Sequence, residues 1–188
     1  MKNIKTLFLS LLVATIFVSC SSDDDNPEPV NEEEVITRMT IELTPATGGN
    51  LVTLEINDPD GDGPTTPTIT GGTLAANTVY NGSIELFDES DPTDIEDITE
   101  EVAEEDDEHQ FFFATTGSVG TIAYADFDGN GNPVGLSFTL TTTAAANGTL
   151  TVTLRHEPIK DAAGVSDGDI TNASGETDIE ATFNITVQ

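Results

Sequence analysis

From Val35 onward the chain alternates apolar and polar residues with a period of two, in short runs, and this pattern dictates sheet rather than helix. Met39, Ile41 and Leu43 alternate with Arg38, Thr40 and Glu42, and Val52, Leu54 and Ile56 with Thr53 and Glu55. The same period returns at Tyr80, Gly82, Ile84 and Leu86, at Phe111 and Phe113, and at Ile122 and Tyr124. It continues at Leu136, Phe138 and Leu140, at Leu150, Val152 and Leu154, and at Ile179, Ala181, Phe183, Ile185 and Val187. Successive strand side chains point to opposite faces, so each run buries one face and wets the other, as antiparallel sheets do. The runs are rich in Thr and β-branched residues and separated by Gly, Asn, Asp and Pro, which predicts about eight short strands. An all-β, immunoglobulin-like antiparallel β-sandwich fits best. One stretch departs from the period. Ile95, Ile98 and Val102 are spaced three and four apart behind Asp91-Pro92, which predicts a short acidic helix over 92–106, frayed at its C-terminal end where acids meet the negative pole of the dipole.

The chain's 188 residues suffice for one domain and a short appendage. Against 5 Lys and Arg stand 35 Asp and Glu, a formal net charge of −30. A surface this acidic repels phosphate backbones and anionic lipid headgroups, so nucleic-acid binding and polybasic membrane docking are excluded, while metal ions and other cationic ligands remain. The single Cys excludes a disulfide framework and a multi-thiolate metal site.

That Cys also gives the chain an address. Lys2 and Lys5 precede an apolar run from Leu7 to Val18, too short for a good membrane span, and Ser19 precedes Cys20. Phe17-Val18-Ser19-Cys20 resembles the lipobox of bacterial lipoproteins, which implies a signal peptide over 1–19 and a mature N-terminus diacylated at Cys20. Multiple acyl chains give stable anchoring, where one would be marginal. Asp23, Asp24 and Asp25 directly after the Cys resemble the surface-export tether of Bacteroidetes lipoproteins, although a plain solvated linker has the same composition. Residues 20–34, with Pro27, Pro29 and the run Glu32-Glu33-Glu34, read as a lipidated acidic tether, and 35–188 as the β-sandwich domain. The mature chain would keep Arg38, Arg155 and Lys160 as its Lys and Arg residues.

Two loops carry calcium-like spacing. Asp58, Asp60 and Asp62 form D-x-D-x-D-G, and Asp126, Asp128 and Asn130 form D-x-D-x-N-G. Alternating oxygens on a Gly-bent loop suit Ca²⁺, which takes six to eight oxygen ligands. The bidentate Glu that closes an EF-hand loop is replaced by Ile69 and Ser137, and neither loop lies between helices, so the alternatives are a calcium-stabilised β-loop and an ordinary turn. For 126–131 the pairs Asp128-Gly129 and Asn130-Gly131 favour a hairpin turn.

His109 and His156 sit at strand ends in the phase of the buried face, with acids beside them, notably Glu108 and Glu157. Two imidazoles plus carboxylates suit zinc or copper. The competing reading is that each ring closes a strand and bonds locally. No nucleophile elbow, phosphate-binding loop or H-E-x-x-H is present, and chance carboxylate pairs are inevitable with 35 acids, so the chain reads as a binder and not an enzyme.

Several segments together resemble small outer-membrane lipoproteins of flavobacteria: 79–86, 98–102 through 107–113, Leu154-Arg155-His156-Glu157-Pro158 and Gly168-Asp169-Ile170-Thr171-Asn172. Members often carry the label "type 1 periplasmic binding fold superfamily protein" and are encoded beside TonB-dependent receptors. The two-lobed α/β domain that this label implies is incompatible with the alternation above. The association with receptors implies an accessory role in nutrient uptake at the cell surface, with capture of a metal ion or metal complex. The alternative of another class is a structural or adhesive envelope protein whose acidic loops bind calcium for rigidity.

Overall fold

The computed structural model describes residues 34–61 and 63–188, and in them the period-two runs become strands. In chain order these are β1 (Arg38–Pro45), β2 (Val52–Asn57), β3 (Thr68–Thr70), β4 (Gly72–Leu74), β5 (Val79–Asp88) and β6 (Glu96–Asp97). After the helix α1 (Ile98–Glu104) follow β7 (His109–Thr115), β8 (Gly120–Tyr124), β9 (Ser137–Thr142), β10 (Ala146–His156) and β11 (Glu176–Val187). Strands β1, β2, β5, β7, β8, β9, β10 and β11 are the eight expected from the alternation. The additional β3, β4 and β6 have three, three and two residues, too few to show a period.

The strands form two sheets packed as a sandwich. One runs β3-β2-β1-β5-β9-β8, with β6 pairing β5, and the other runs β4-β11-β10-β7. Pairing is antiparallel except between β11 and β4, where Ile185 to Val187 run parallel to Gly72 to Leu74. Alternation sets the core: β5 buries Tyr80, Gly82, Ile84 and Leu86 and exposes the residues between them. Met39, Ile41, Leu43, Leu54, Leu86 and Phe138 from one sheet meet Phe111, Leu154 and Phe183 from the other in a single apolar cluster. Burying each such side chain contributes about 1.5–3 kcal/mol.

The expected helix over 92–106 is corrected to Ile98–Glu104. Asp91-Pro92 does not open it, because the Asp91 carboxylate accepts from both the amide and the hydroxyl of Thr93, and Asp94 N–H donates to Asp91 O, making a turn. The chain then pairs with β5 through Asp97 opposite Phe87, and only afterwards does Asp97 cap the helix by accepting from Thr99 N–H. Ile98 and Val102 are buried as the spacing requires, while Ile95 stays exposed. The Thr99 hydroxyl donates to Leu86 O and accepts from Leu86 N–H, which docks α1 on β5. The helix ends at Glu104, with no basic residue in its last turn to offset the dipole.

The expected signal peptide, the expected lipidation site Cys20 and most of the expected 20–34 tether lie outside the described residues, as does Asp62. No helix among the described residues is long and apolar enough to cross a membrane.

Candidate metal centre

His109 begins β7 and His156 ends β10, and the antiparallel register of these neighbours pairs them directly. Both strands keep their phase, so both rings point inward: His109 is 0% and His156 4% exposed. The rings stack with centroids 4.5 Å apart and planes inclined by 28°.

Two carboxylates complete the cluster, each delivered by a local irregularity. Glu34 lies four residues before β1, and its carboxylate reaches both rings: Oε1 is 3.0 Å from His109 Nε2 and Oε2 is 3.2 Å from His156 Nδ1. Asp178 comes from a bulge in β11. Thr177 pairs with Arg155 and Ile179 with Leu154, so Asp178 is the extra residue between two paired ones. Its side chain is fully buried, with Oδ1 4.0 Å from His156 Nδ1. Glu34, His109, His156 and Asp178 each offer a ligand atom within 4.8 Å of the others.

The orientation of His109 is fixed from behind. Its Nδ1 lies 3.2 Å from Glu105 O at the end of α1, and a carbonyl can only accept, so Nδ1 carries the proton and Nε2 faces the cluster. A histidine that ligates metal commonly donates its other N–H to a backbone carbonyl in this way. Burial alone pushes the His109 pKa down, but the hydrogen bond and charge of Glu34, the Glu105 carbonyl and the charge of Asp178 outweigh it, so the ring holds its proton above the ordinary imidazole value. For Glu34, burial pushes upward, while the bond to His109, a backbone bond and the two imidazoles outweigh it and hold the carboxyl below its ordinary range. In this contact the charged forms of Glu34 and His109 stabilise each other as an ion pair.

That ion pair leaves atoms unused. His156 Nδ1 and Glu34 Oε2 are buried and make no hydrogen bond, although they stand 3.2 Å apart. Two ligands at about 2.0–2.1 Å from one Zn²⁺ lie roughly 2.9–3.4 Å from each other at ordinary coordination angles. The separations of 3.0 and 3.2 Å around Glu34 fall in that range, the first being also a hydrogen bond, whereas the 4.0 Å from Asp178 Oδ1 to His156 Nδ1 lies outside it, so Asp178 must move inward to ligate the same ion.

Glu108 and Glu157 join His156 and not the pair of rings. Glu108 Oε2 lies 3.9 Å from His156 Nε2, the nitrogen opposite the one that faces Glu34, and these two acids form a second group with His156. Both are exposed.

Of the calcium-like loops, the second is bound up in the fold, and the first borders the same cavity as Glu34 and Asp178. In 126–131 the Asp126 carboxylate accepts from Gly135 and Ser137 N–H, and Asp128 Oδ1 from Asn130 and Asn132 N–H. Asp128 Oδ2 faces the buried ammonium of Lys160 at 3.2 Å, which also donates to Pro133 O and Asp106 O. The Lys160 ammonium thus pairs with Asp128, to which Asn130 contributes its backbone amide. In the first loop Asp60 accepts from Thr65 N–H. Asp58 and Asp60 line a cavity of about 440 Å³ that Glu34, Asp178 and Glu180 also border.

Sequence reasoning missed Glu34, Asp178 and Lys160. Glu34 is hidden in an acidic run that reads as spacer, and strict alternation puts Asp178 on the wet face opposite Ile179. A lysine in a chain this poor in bases was a signal for Lys160. No protein-family model, curated protein or solved structure matches the chain.

Proposed function

We propose that this domain is a binding module that holds one transition-metal ion, Zn²⁺ or Cu²⁺, between His109, His156, Glu34 and Asp178. The observation that carries the reading is the pair of buried atoms, His156 Nδ1 and Glu34 Oε2, that lack hydrogen bonds beside His109 Nε2. Buried polar atoms are nearly always satisfied, and a cation bridging these would satisfy both. The mixed N and O donor set is that of zinc and copper sites and not of calcium. Mature lipidation at Cys20 would hold the module on the outer membrane or cell surface, and the resemblance to lipoproteins encoded beside TonB-dependent receptors supports an accessory role in uptake.

Calorimetric titration of the protein with Zn²⁺ tests the reading. One ion per chain is expected, with binding abolished in His109→Ala and in His156→Ala. Unaltered binding in both variants would overturn it.

A second reading, a calcium-stabilised structural or adhesive envelope protein, draws support from the cavity bordered by Asp58, Asp60, Asp178 and Glu180. Millimolar Ca²⁺ would then raise Tm, and Asp60→Asn would remove the shift.

A further inference from the structure

Glu34 and Asp178 belong to two places at once. They are the carboxylates of the group around the rings, and they also border the cavity of about 440 Å³, which His109 and His156 do not. That volume suffices for an organic molecule, since ligand pockets start at about 300 Å³. The wall is of two kinds. Ile36, Ile56 and Ile179 supply a buried apolar part. Asp58, Asp60 and Glu180 add their carboxylates to those of Glu34 and Asp178, and no Lys, Arg or His is among the described lining residues. We infer that the cavity seats an organic ligand of the bound ion, a small molecule in which a short hydrocarbon frame joins a neutral nitrogen donor to a protonated amine. This rests on the metal-binding reading above and names what else the ion holds.

The distances around the ion leave such a ligand a place. Glu34 stands from each ring at a separation that one tetrahedral ion imposes, whereas Asp178 Oδ1, 4.0 Å from His156 Nδ1, stands back. Three protein donors with a fourth position open is the arrangement by which zinc holds an exchangeable ligand. Asp178 closes that position by moving inward, or a donor from the cavity fills it while Asp178 stays where it is. Glu34 points to a cation independently of these separations, because its Oε2 makes no hydrogen bond although the side chain is only 5% exposed. Charge then selects the ligand. Glu34 and Asp178 match the two charges of a divalent ion, and Asp60 and Glu180, both exposed, add negative charge that the ion does not offset. A carboxylate or phosphate ligand is repelled there and a protonated amine attracted. The neutral donor reaches the ion without giving up a proton, and the apolar wall covers the frame between donor and amine.

Histamine carries this pattern, an imidazole donor a short chain away from an ammonium, and imidazole-4-acetate carries the same ring with a carboxylate instead. Both are titrated by calorimetry at low salt into the whole protein loaded with Zn²⁺, and zinc retention is checked after dialysis. Histamine should bind the loaded protein at least about tenfold more tightly than imidazole-4-acetate does, and at least about tenfold more tightly than it binds the metal-free protein. Asp60→Asn with Glu180→Gln keeps the acceptors for Thr65 N–H and the Thr153 hydroxyl but removes both charges. This variant should retain its zinc and bind histamine about fivefold more weakly. Glu85→Gln with Glu100→Gln removes the same charge from exposed positions outside the cavity and should leave histamine binding within about twofold. Equal binding of the two ligands, equal binding with and without Zn²⁺, loss of zinc to histamine, or a cavity variant no weaker than the control would each overturn the occupant. The metal reading survives all four, because Zn²⁺ titration of the native protein judges it, and failure of that titration removes both.

Discussion

Glu34 Oε1 lies 3.0 Å from His109 Nε2, so the last acid of the run 32–34 closes a site whose histidines belong to the far sheet. The carboxylate precedes β1 while the ring begins β7, and their contact ties the start of the domain to the end of the sandwich. Replacing Glu34 by Ala leaves the buried His109 ring without its partner and should lower stability by about 1–3 kcal/mol. Urea unfolding of the metal-free protein measures this. A loss within error would mean that the Glu34 contact is not maintained in solution.

Above the ordinary imidazole pKa, metal affinity and metal-free stability should respond to pH in opposite directions. The His109 contribution to stability is complete below the ordinary imidazole pKa and is lost as pH rises through its raised folded value. The Glu34 contribution is complete above the ordinary carboxylate pKa and is lost as pH falls through its depressed folded value. The pair therefore contributes most between about 4.3 and about 6.5. Above that interval Tm of the metal-free protein should decline, whereas Zn²⁺ affinity should keep rising, because the ion must displace the His109 proton. Affinity that levels off at or below the ordinary imidazole pKa would contradict the raised value.

Lys160 and Asp128 form a buried pair, 5% and 1% exposed in their side chains, at the loop that resembles a calcium site. Burial pushes the Asp128 carboxyl up, and the amides of Asn132 and Asn130 with the Lys160 ammonium outweigh it and hold it below the ordinary carboxylate range. Lys160→Ala strands that carboxylate and should cost about 3–5 kcal/mol, read from the denaturant midpoint. Asp128→Asn with Lys160→Met should cost much less than the single change. Equal losses would show that packing, not charge, holds the loop.

Gly82 lies opposite Phe138 in the β5–β9 ladder, and a Cβ there would come within 2.4 Å of the ring. Gly82→Val overpacks this contact and should destabilise by about 1–3 kcal/mol, as thermal or urea unfolding would show. An unchanged midpoint would mean that the ring has room to move.

The sheets were legible because a half-buried strand writes its two faces directly into the sequence. Tyr80, Gly82, Ile84 and Leu86 declared β5, and Ile179 to Val187 declared the core face of β11, without knowledge of any partner. The helix start was not, since Asp91-Pro92 suits a turn as well as a helix, and the pairing of β6 with β5 decided between them. His109 and His156 were legible as inward residues at strand ends, but their meeting depends on the β7–β10 register, which is a tertiary fact. Asp178 was illegible for a sharper reason: one bulge reverses the face on which period two places it, and nothing local marks the bulge.

X-ray absorption at the zinc edge of the loaded protein reads the proposed centre most directly. Two imidazole nitrogens at about 2.0–2.1 Å and two carboxylate oxygens at about 2.0–2.2 Å are expected, with imidazole multiple scattering in the spectrum. A shell of oxygens alone, without imidazole scattering, would contradict the centre and leave the stacked histidines as residues of the fold.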